Sequence, residues 1–132
     1  MKRYVKGARS ERELLNIMHV KGYSVMRSAG SGVNALSPDI IGFKNARGIA
    51  LECKAWESTS LSLEREKIEE LRRWENNTGM DTFIAWRMNG RGWFFIKLGE
   101  LADTGKNYTV TMRNAINIGR RLEEVISSLY LP

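Results

Sequence analysis

The chain has 132 residues, 42% of them hydrophobic, which suits one globular domain, leaves little room for a second and excludes gross disorder. It carries 21 Lys and Arg against 15 Asp and Glu, a formal charge of +6 and a pI near 9.7, a balance that fits either a polyanionic partner or a basic solvated surface. A single Cys and a single His exclude a disulfide framework and a Cys/His zinc site. No apolar run approaches the ~20 residues that cross a bilayer, and the first residues are polar and basic, without the hydrophobic stretch of a signal peptide. The expectation is a soluble, cytoplasmic protein with no membrane partner.

The chain begins with a basic arm, residues 1–7, that carries Lys2, Arg3 and Lys6; Arg9 and Arg12 continue the charge. These residues read either as a solvated terminus or as phosphate contacts. A helix is predicted from Ser10, or from nearer Ala8, to Val20. Ser10 and Glu13 have the spacing of a capping box, and Leu14, Leu15, Ile17 and Met18 form its apolar stripe. Glu11 falls at the margin of that stripe, where it either complements the helix dipole or reaches a site on a neighbouring sheet. His19 reads as a structural or surface residue.

Tyr23–Ser28 is predicted as a strand, followed by a loop of small residues that includes Ser31. Next comes a hairpin: strand Asp39–Phe43, a turn at Lys44–Gly48, and strand Ile49–Trp56. The period of two puts Glu52 and Lys54 on one face and Leu51, Cys53 and Ala55 on the other. Pairing brings Asp39 opposite the end of the second strand, which gathers two carboxylates and an ammonium. Hard cations such as Mg²⁺ take such oxygen ligands and keep several waters. The pattern Pro-Asp, then Glu-x-Lys, is loose by itself, because turns and solvated strand faces generate it as well.

Glu57–Ser62 reads as the polar end of the strand, and Leu63 to about Asn77 as a helix with an apolar stripe at Leu63, Ile68, Leu71 and Trp74. Its other charges form a solvated face, but Lys67 falls beside the stripe, in a position to look into the cleft. Thr82–Arg87 and Trp93–Lys97 form a second hairpin about Asn89–Gly92. Tyr108–Met112 reads as a short edge strand, and residues 115–129 as one amphipathic helix with Arg120 and Arg121 on its polar face. The order implies an α/β domain spanning residues 1–132, with a central mixed β-sheet flanked by helices.

Four stretches in this order, KGARSERELL at Lys6–Leu15, VMRSAGSG at Val25–Gly32, PDII at Pro38–Ile41 and ECK at Glu52–Lys54, resemble the archaeal Holliday junction resolvases. These are homodimeric nucleases of the restriction-endonuclease-like, PD-(D/E)xK class. With the helix from Leu63 and the hairpin at Asp81–Leu98, the resemblance covers about residues 6–98 and matches the C-terminal helix less clearly.

The resemblance implies a restriction-endonuclease-like fold and an endodeoxyribonuclease that resolves four-way junctions by paired nicks in recombination and repair. By match to the family motifs, Asp39 and Glu52 hold Mg²⁺, with Mn²⁺ able to substitute. Glu11 and the backbone carbonyl of Cys53 support the site, Lys54 is the catalytic lysine, and Ser31 lies near the site and affects cleavage. Lys2, Arg3, Lys6, Arg9, Arg12 and Arg27 are the expected DNA contacts. The expected partners are four-way junction DNA and a second copy of the chain. The competing readings are a nuclease of the same fold acting on a flap or a restriction site, and a junction-binding protein without catalysis.

Overall fold

A computed structural model of the chain describes residues 3–28 and 36–128. In chain order the elements are α1 (Arg3–Val20), β1 (Ser24–Arg27), β2 (Ile40–Lys44), β3 (Arg47–Lys54), β4 (Ser60–Glu64), α2 (Arg65–Thr78), β5 (Asp81–Met88) and β6 (Gly92–Lys97). A single 3₁₀ turn at Leu98–Glu100 leads to β7 (Ala102–Asp103), β8 (Asn107–Thr111), α3 (Met112–Ile118) and α4 (Leu122–Ser128). Among the described residues, no helix is long and apolar enough to cross a membrane.

The main sheet has the order β1-β2-β3-β5-β6. Only β3 and β5 pair in parallel, because β4 and α2 carry the chain back over one face between them. Both faces are covered, so β5 reads as a nearly continuous apolar run. Phe83 and Ala85 turn to one side, where they meet Leu14 and Met18 of α1 and Leu122 and Val125 of α4. Ile84, Trp86 and Met88 turn to the other, onto Ile68 and Leu71 of α2, Leu61 and Leu63 of β4 and Ala115 of α3.

α1 is seated closely on β2. A Cβ on Gly42 would come within 2.6 Å of Met18 Cε and 3.3 Å of Tyr23 Cδ2, so a larger residue here would make the tip of Met18 shift. α2 stops at Gly79, whose φ of 73° is the left-handed conformation of a helix C-cap, with its N–H donating to the Glu75 carbonyl.

Four predicted elements differ from the structure. Residues 3–7 are not an arm but the first turns of α1, so Ser10 lies inside the helix and is buried rather than capping it. The stretch assigned to the end of a strand and the start of a helix contains β4, with Leu61 and Leu63 facing inward in strict alternation. Its partner β8 is no edge strand of the main sheet. It is the middle strand of a second sheet of order β4-β8-β7. The predicted helix over 115–129 is two helices, because Arg120 turns extended and exchanges both backbone hydrogen bonds with Phe95, at 2.7 and 2.9 Å. Arg120 also holds Glu100 through both carboxylate oxygens, so it is a structural bridge and not part of a solvated face.

Candidate active site

The β2–β3 hairpin turns through Asn45 and Ala46, with φ of 52° and 65°. Two consecutive positive φ values make the tight turn whose twist matches that of the strands, and such a turn pins the register. The ladder runs from Lys44↔Arg47 to Ile40↔Leu51, so the next step sets Asp39 beside Glu52. The Cys53 N–H donates to Asp39 Oδ2 at 2.9 Å, and the Ser28 N–H donates to the Asp39 carbonyl at 2.8 Å. Asp39 is thereby fixed between β3 and the end of β1.

Glu52 faces the α2 side of the sheet and is only 4% exposed. Lys54, two residues on along the same face, brings its Nζ to 4.0 Å from Glu52 Oε2. Lys67 of α2 approaches the other oxygen, with Nζ 3.7 Å from Oε1. Burial, and next the charge of Asp39, push the Glu52 carboxyl up to about 7 against the pull of Lys67, Lys54 and a backbone hydrogen bond at Asp39.

Glu11 enters from α1 on the other side of the sheet. Its Oε2 accepts from Arg27 Nε at 2.9 Å. Its carboxyl is also raised, by burial first and by the Asp39 charge second, with Arg27 opposing. Burial together with the Asp39, Glu11 and Glu52 charges holds the Cys53 thiol well above its ordinary value, so it stays protonated and is no nucleophile.

The donor set fits a hard divalent cation. Glu52 Oε1 is a buried carboxylate oxygen with no hydrogen-bond partner among the described residues, an arrangement that a cation would complete. No three His, Cys, Asp or Glu side chains among the described residues gather into a ready-made cluster. Two carboxylates with the remaining positions left to water is a pattern that hard divalent cations accept.

The structure thus brings Asp39, Glu52 and Lys54 together at the end of β3, with Glu11 at their margin beside Asp39. Arg9, Arg12 and Arg27 are exposed, and Arg27 is paired with Glu11. Arg3 and Lys6 lie on α1. Ser31 and Lys2 fall outside the described residues. Sequence reasoning did not anticipate the Arg27–Glu11 pair or Ser37, whose carbonyl accepts from Lys67 Nζ at 3.3 Å. The position of Lys67 beside the α2 stripe was the one signal for that second contact.

Comparison with known proteins gives the family of the chain. The family model of the archaeal Holliday junction resolvase (Hjc) matches residues 2–130, which extends the match through the C-terminal helices. The crossover junction endodeoxyribonuclease Hjc of Methanocaldococcus jannaschii is 34% identical over 112 residues, 84% of this chain and 80% of that protein. The protein of the same name from Archaeoglobus fulgidus is 28% identical over 126 residues, 95% of this chain and 92% of that one. The solved structure of A. fulgidus Hjc, a Holliday junction resolvase, superposes with a TM-score of 0.83 at 26% identity, covering 92% of this chain and 96% of that one. A bacterial homing endonuclease, I-Ssp6803I, shares the fold alone, with a TM-score of 0.62 at 11% identity over 96% of this chain and 94% of that one. With its mixed sheet, its Asp39–Glu52–Lys54 corner and these matches, the chain belongs to the archaeal Holliday junction resolvase (Hjc) family.

Proposed function

We propose that this chain is a Mg²⁺-dependent, structure-specific endodeoxyribonuclease that resolves four-way DNA junctions by paired symmetric nicks. The observation that carries the reading is the corner formed by Asp39, Glu52 and Lys54, where a buried carboxylate oxygen lies without a hydrogen-bond donor. Asp39 and Glu52, with Glu11 and the Cys53 carbonyl in support, would hold the ion. When bound, Mg²⁺ acidifies a water and offsets charge on the phosphodiester. Mn²⁺, which accepts the same oxygen donors, substitutes for it.

Lys54 stands beside Glu52 on the same face of β3, where its ammonium orients the attacking water and meets the charge that develops on the phosphoryl oxygens. Water adds to phosphorus in line with the 3′-oxygen. The bond between phosphorus and the 3′-oxygen breaks, a proton given up by the water is balanced by one that the leaving 3′-oxygen takes from solvent, and the products are a 5′-phosphate and a 3′-hydroxyl. The Cys53 N–H that anchors Asp39 keeps this carboxylate in place throughout.

A four-way junction has near two-fold symmetry, and its resolution requires two nicks. A C2 homodimer supplies two sites in the required relation. Sedimentation should therefore show a dimer at micromolar concentration; a stable monomer would count against this arrangement. The exposed Arg9 and Arg12, together with Arg27, Arg3, Lys2 and Lys6, contact phosphates. Such contacts position DNA without reading its sequence, so selectivity follows junction shape.

The test is cleavage of a labelled immobile four-way junction beside a matched linear duplex and a flap, in Mg²⁺ and in EDTA, by wild type and Asp39→Asn. Cutting of the junction alone, lost in EDTA and in the variant, is the expected result. Cutting of the flap or the duplex instead would move the activity to another substrate of the same fold. Tight junction binding without cutting in Mg²⁺ or Mn²⁺ would leave a binding protein only.

A further inference from the structure

Lys67 differs from its neighbours on α2. Glu66, Glu69, Arg72 and Arg73 are exposed, as charges on the outer face of a helix should be. The Lys67 side chain is only 22% exposed. It precedes the buried Ile68, and the packing of Ile68 and Leu71 beneath the sheet turns its stem toward the end of β3. There its Nζ donates to the Ser37 carbonyl at 3.3 Å, two residues before Asp39, and stands 3.7 Å from Glu52 Oε1.

Lys54 shares a strand with Glu52, so its nearness follows from the period of β3 alone. Lys67 comes from a separate element. It is the described side chain that ties α2, the Ser37–Asp39 segment and Glu52 to one point. The ammonium donates to the Ser37 carbonyl and faces Glu52 Oε1 as an ion pair at 3.7 Å, so it orients the carboxylate by charge and leaves that oxygen without a hydrogen bond.

We propose that Lys67 is a second lysine of the active centre, a positioning residue that holds Glu52 and the segment bearing Asp39 in their mutual geometry from α2. This rests on the nuclease reading above. Lys67 need not touch the phosphodiester. It sets the two carboxylates that do the binding.

Two physical effects of removing Lys67 have opposite signs, which makes the inference testable. If Lys67 only adds positive charge near a cation site, its loss strengthens Mg²⁺ binding. If it positions the ligands, its loss weakens Mg²⁺ binding, because a misplaced carboxylate binds the ion less well. Residues that orient metal ligands typically contribute about 10- to 100-fold in affinity or rate.

The experiment uses Lys67→Met and Lys67→Arg, with Glu52→Gln as control. Calorimetric titration of Mg²⁺ into the DNA-free protein is read beside the single-turnover cleavage rate at saturating junction. Junction binding in EDTA and the thermal midpoint serve as checks on the fold. For Lys67→Met the expected result is weaker Mg²⁺ binding and a cleavage rate about 10- to 100-fold lower. Junction affinity in EDTA should be unchanged, the variant should still unfold in one cooperative transition above the assay temperature, and Lys67→Arg should recover most of the loss. Unchanged or tighter Mg²⁺ binding in Lys67→Met would overturn the inference. So would junction binding in EDTA that weakens in step with the rate, or a failure of the arginine to recover. If Glu52→Gln itself cuts normally, the nuclease site is misassigned; if Glu52→Gln is inactive and Lys67→Met behaves as wild type, only the role of Lys67 fails.

Discussion

Replacing Glu52 with Gln should remove a loss of stability that the metal-free protein suffers as the pH becomes alkaline. Glu52 is 4% exposed, and its carboxyl is raised from 4.5 to about 7, by burial first and by the Asp39 charge second. The folded chain therefore holds this proton more tightly than the unfolded chain does. Below about pH 4.5 the group is protonated in both states and contributes nothing to the difference. As pH rises through about 4.5 to about 7, the unfolded state gives up its proton while the folded state retains it. Stability falls with pH across that window and levels off above it.

The gap between 4.5 and about 7, at about 1.4 kcal/mol per pH unit, amounts to on the order of 3 kcal/mol of destabilisation at about pH 8. Glutamine does not ionise and escapes this loss. Urea unfolding in EDTA at about pH 5 and about pH 8 measures it in both proteins. The stability of Glu52→Gln relative to wild type should rise by about 2 to 3 kcal/mol between the two conditions, since part of the loss is already present at about pH 5. Comparing two pH values cancels any pH-independent cost of the amide. At about pH 8, Mg²⁺ should then stabilise wild type and not the variant. An equal difference at both pH values would refute the burial and charge argument for this site.

Asp39→Asn and Lys54→Ala should each lower the cleavage rate by at least about a hundredfold, because the first removes an anionic ligand for the metal and the second a cation at the reacting phosphate. Gel shifts in EDTA should show junction binding retained. Junction affinity should fall linearly in log–log form with salt, and Arg9→Ala with Arg12→Ala should reduce the slope by about 4 if both side chains of each subunit of the dimer meet phosphates. A flat salt response would remove the phosphate-contact assignment. Gly42→Ala should destabilise the fold by about 1–3 kcal/mol in urea, because its Cβ would press on Met18 Cε, Ile49 Cγ2 and Tyr23 Cδ2. Its value should lie toward the low end, since the closest of these atoms is the tip of a flexible side chain.

The Asp39–Glu52–Lys54 corner was legible in the sequence because local rules place it. The alternation along Ile49–Lys54 sets Glu52 and Lys54 on one face, and a tight turn brings Asp39 alongside. Lys67 was legible for a similar reason, as a charged residue beside an apolar helical stripe. The elements that were misread depend on partners far along the chain. Ser60–Glu64 alternates as a strand should, but it adjoins a charged helix, and its partner strand β8 begins only at Asn107. The helical period over 115–129 is genuine. It is interrupted because the edge of the sheet at Phe95 offers Arg120 two backbone hydrogen bonds, which no periodicity records. The Arg27–Glu11 pair joins an exposed strand to a helix across the hairpin, so neither residue signals the other.

Resolution is two coordinated nicks at one junction, and a supercoiled plasmid that extrudes a cruciform reports on both at once. A single nick relaxes the plasmid and reabsorbs the cruciform, so linear product requires both strands to be cut within the lifetime of one complex. With Mg²⁺, wild type should give linear plasmid as the main product, and Asp39→Asn should leave the supercoil intact. Open circles in place of linear product, or linearisation by Asp39→Asn, would contradict the account.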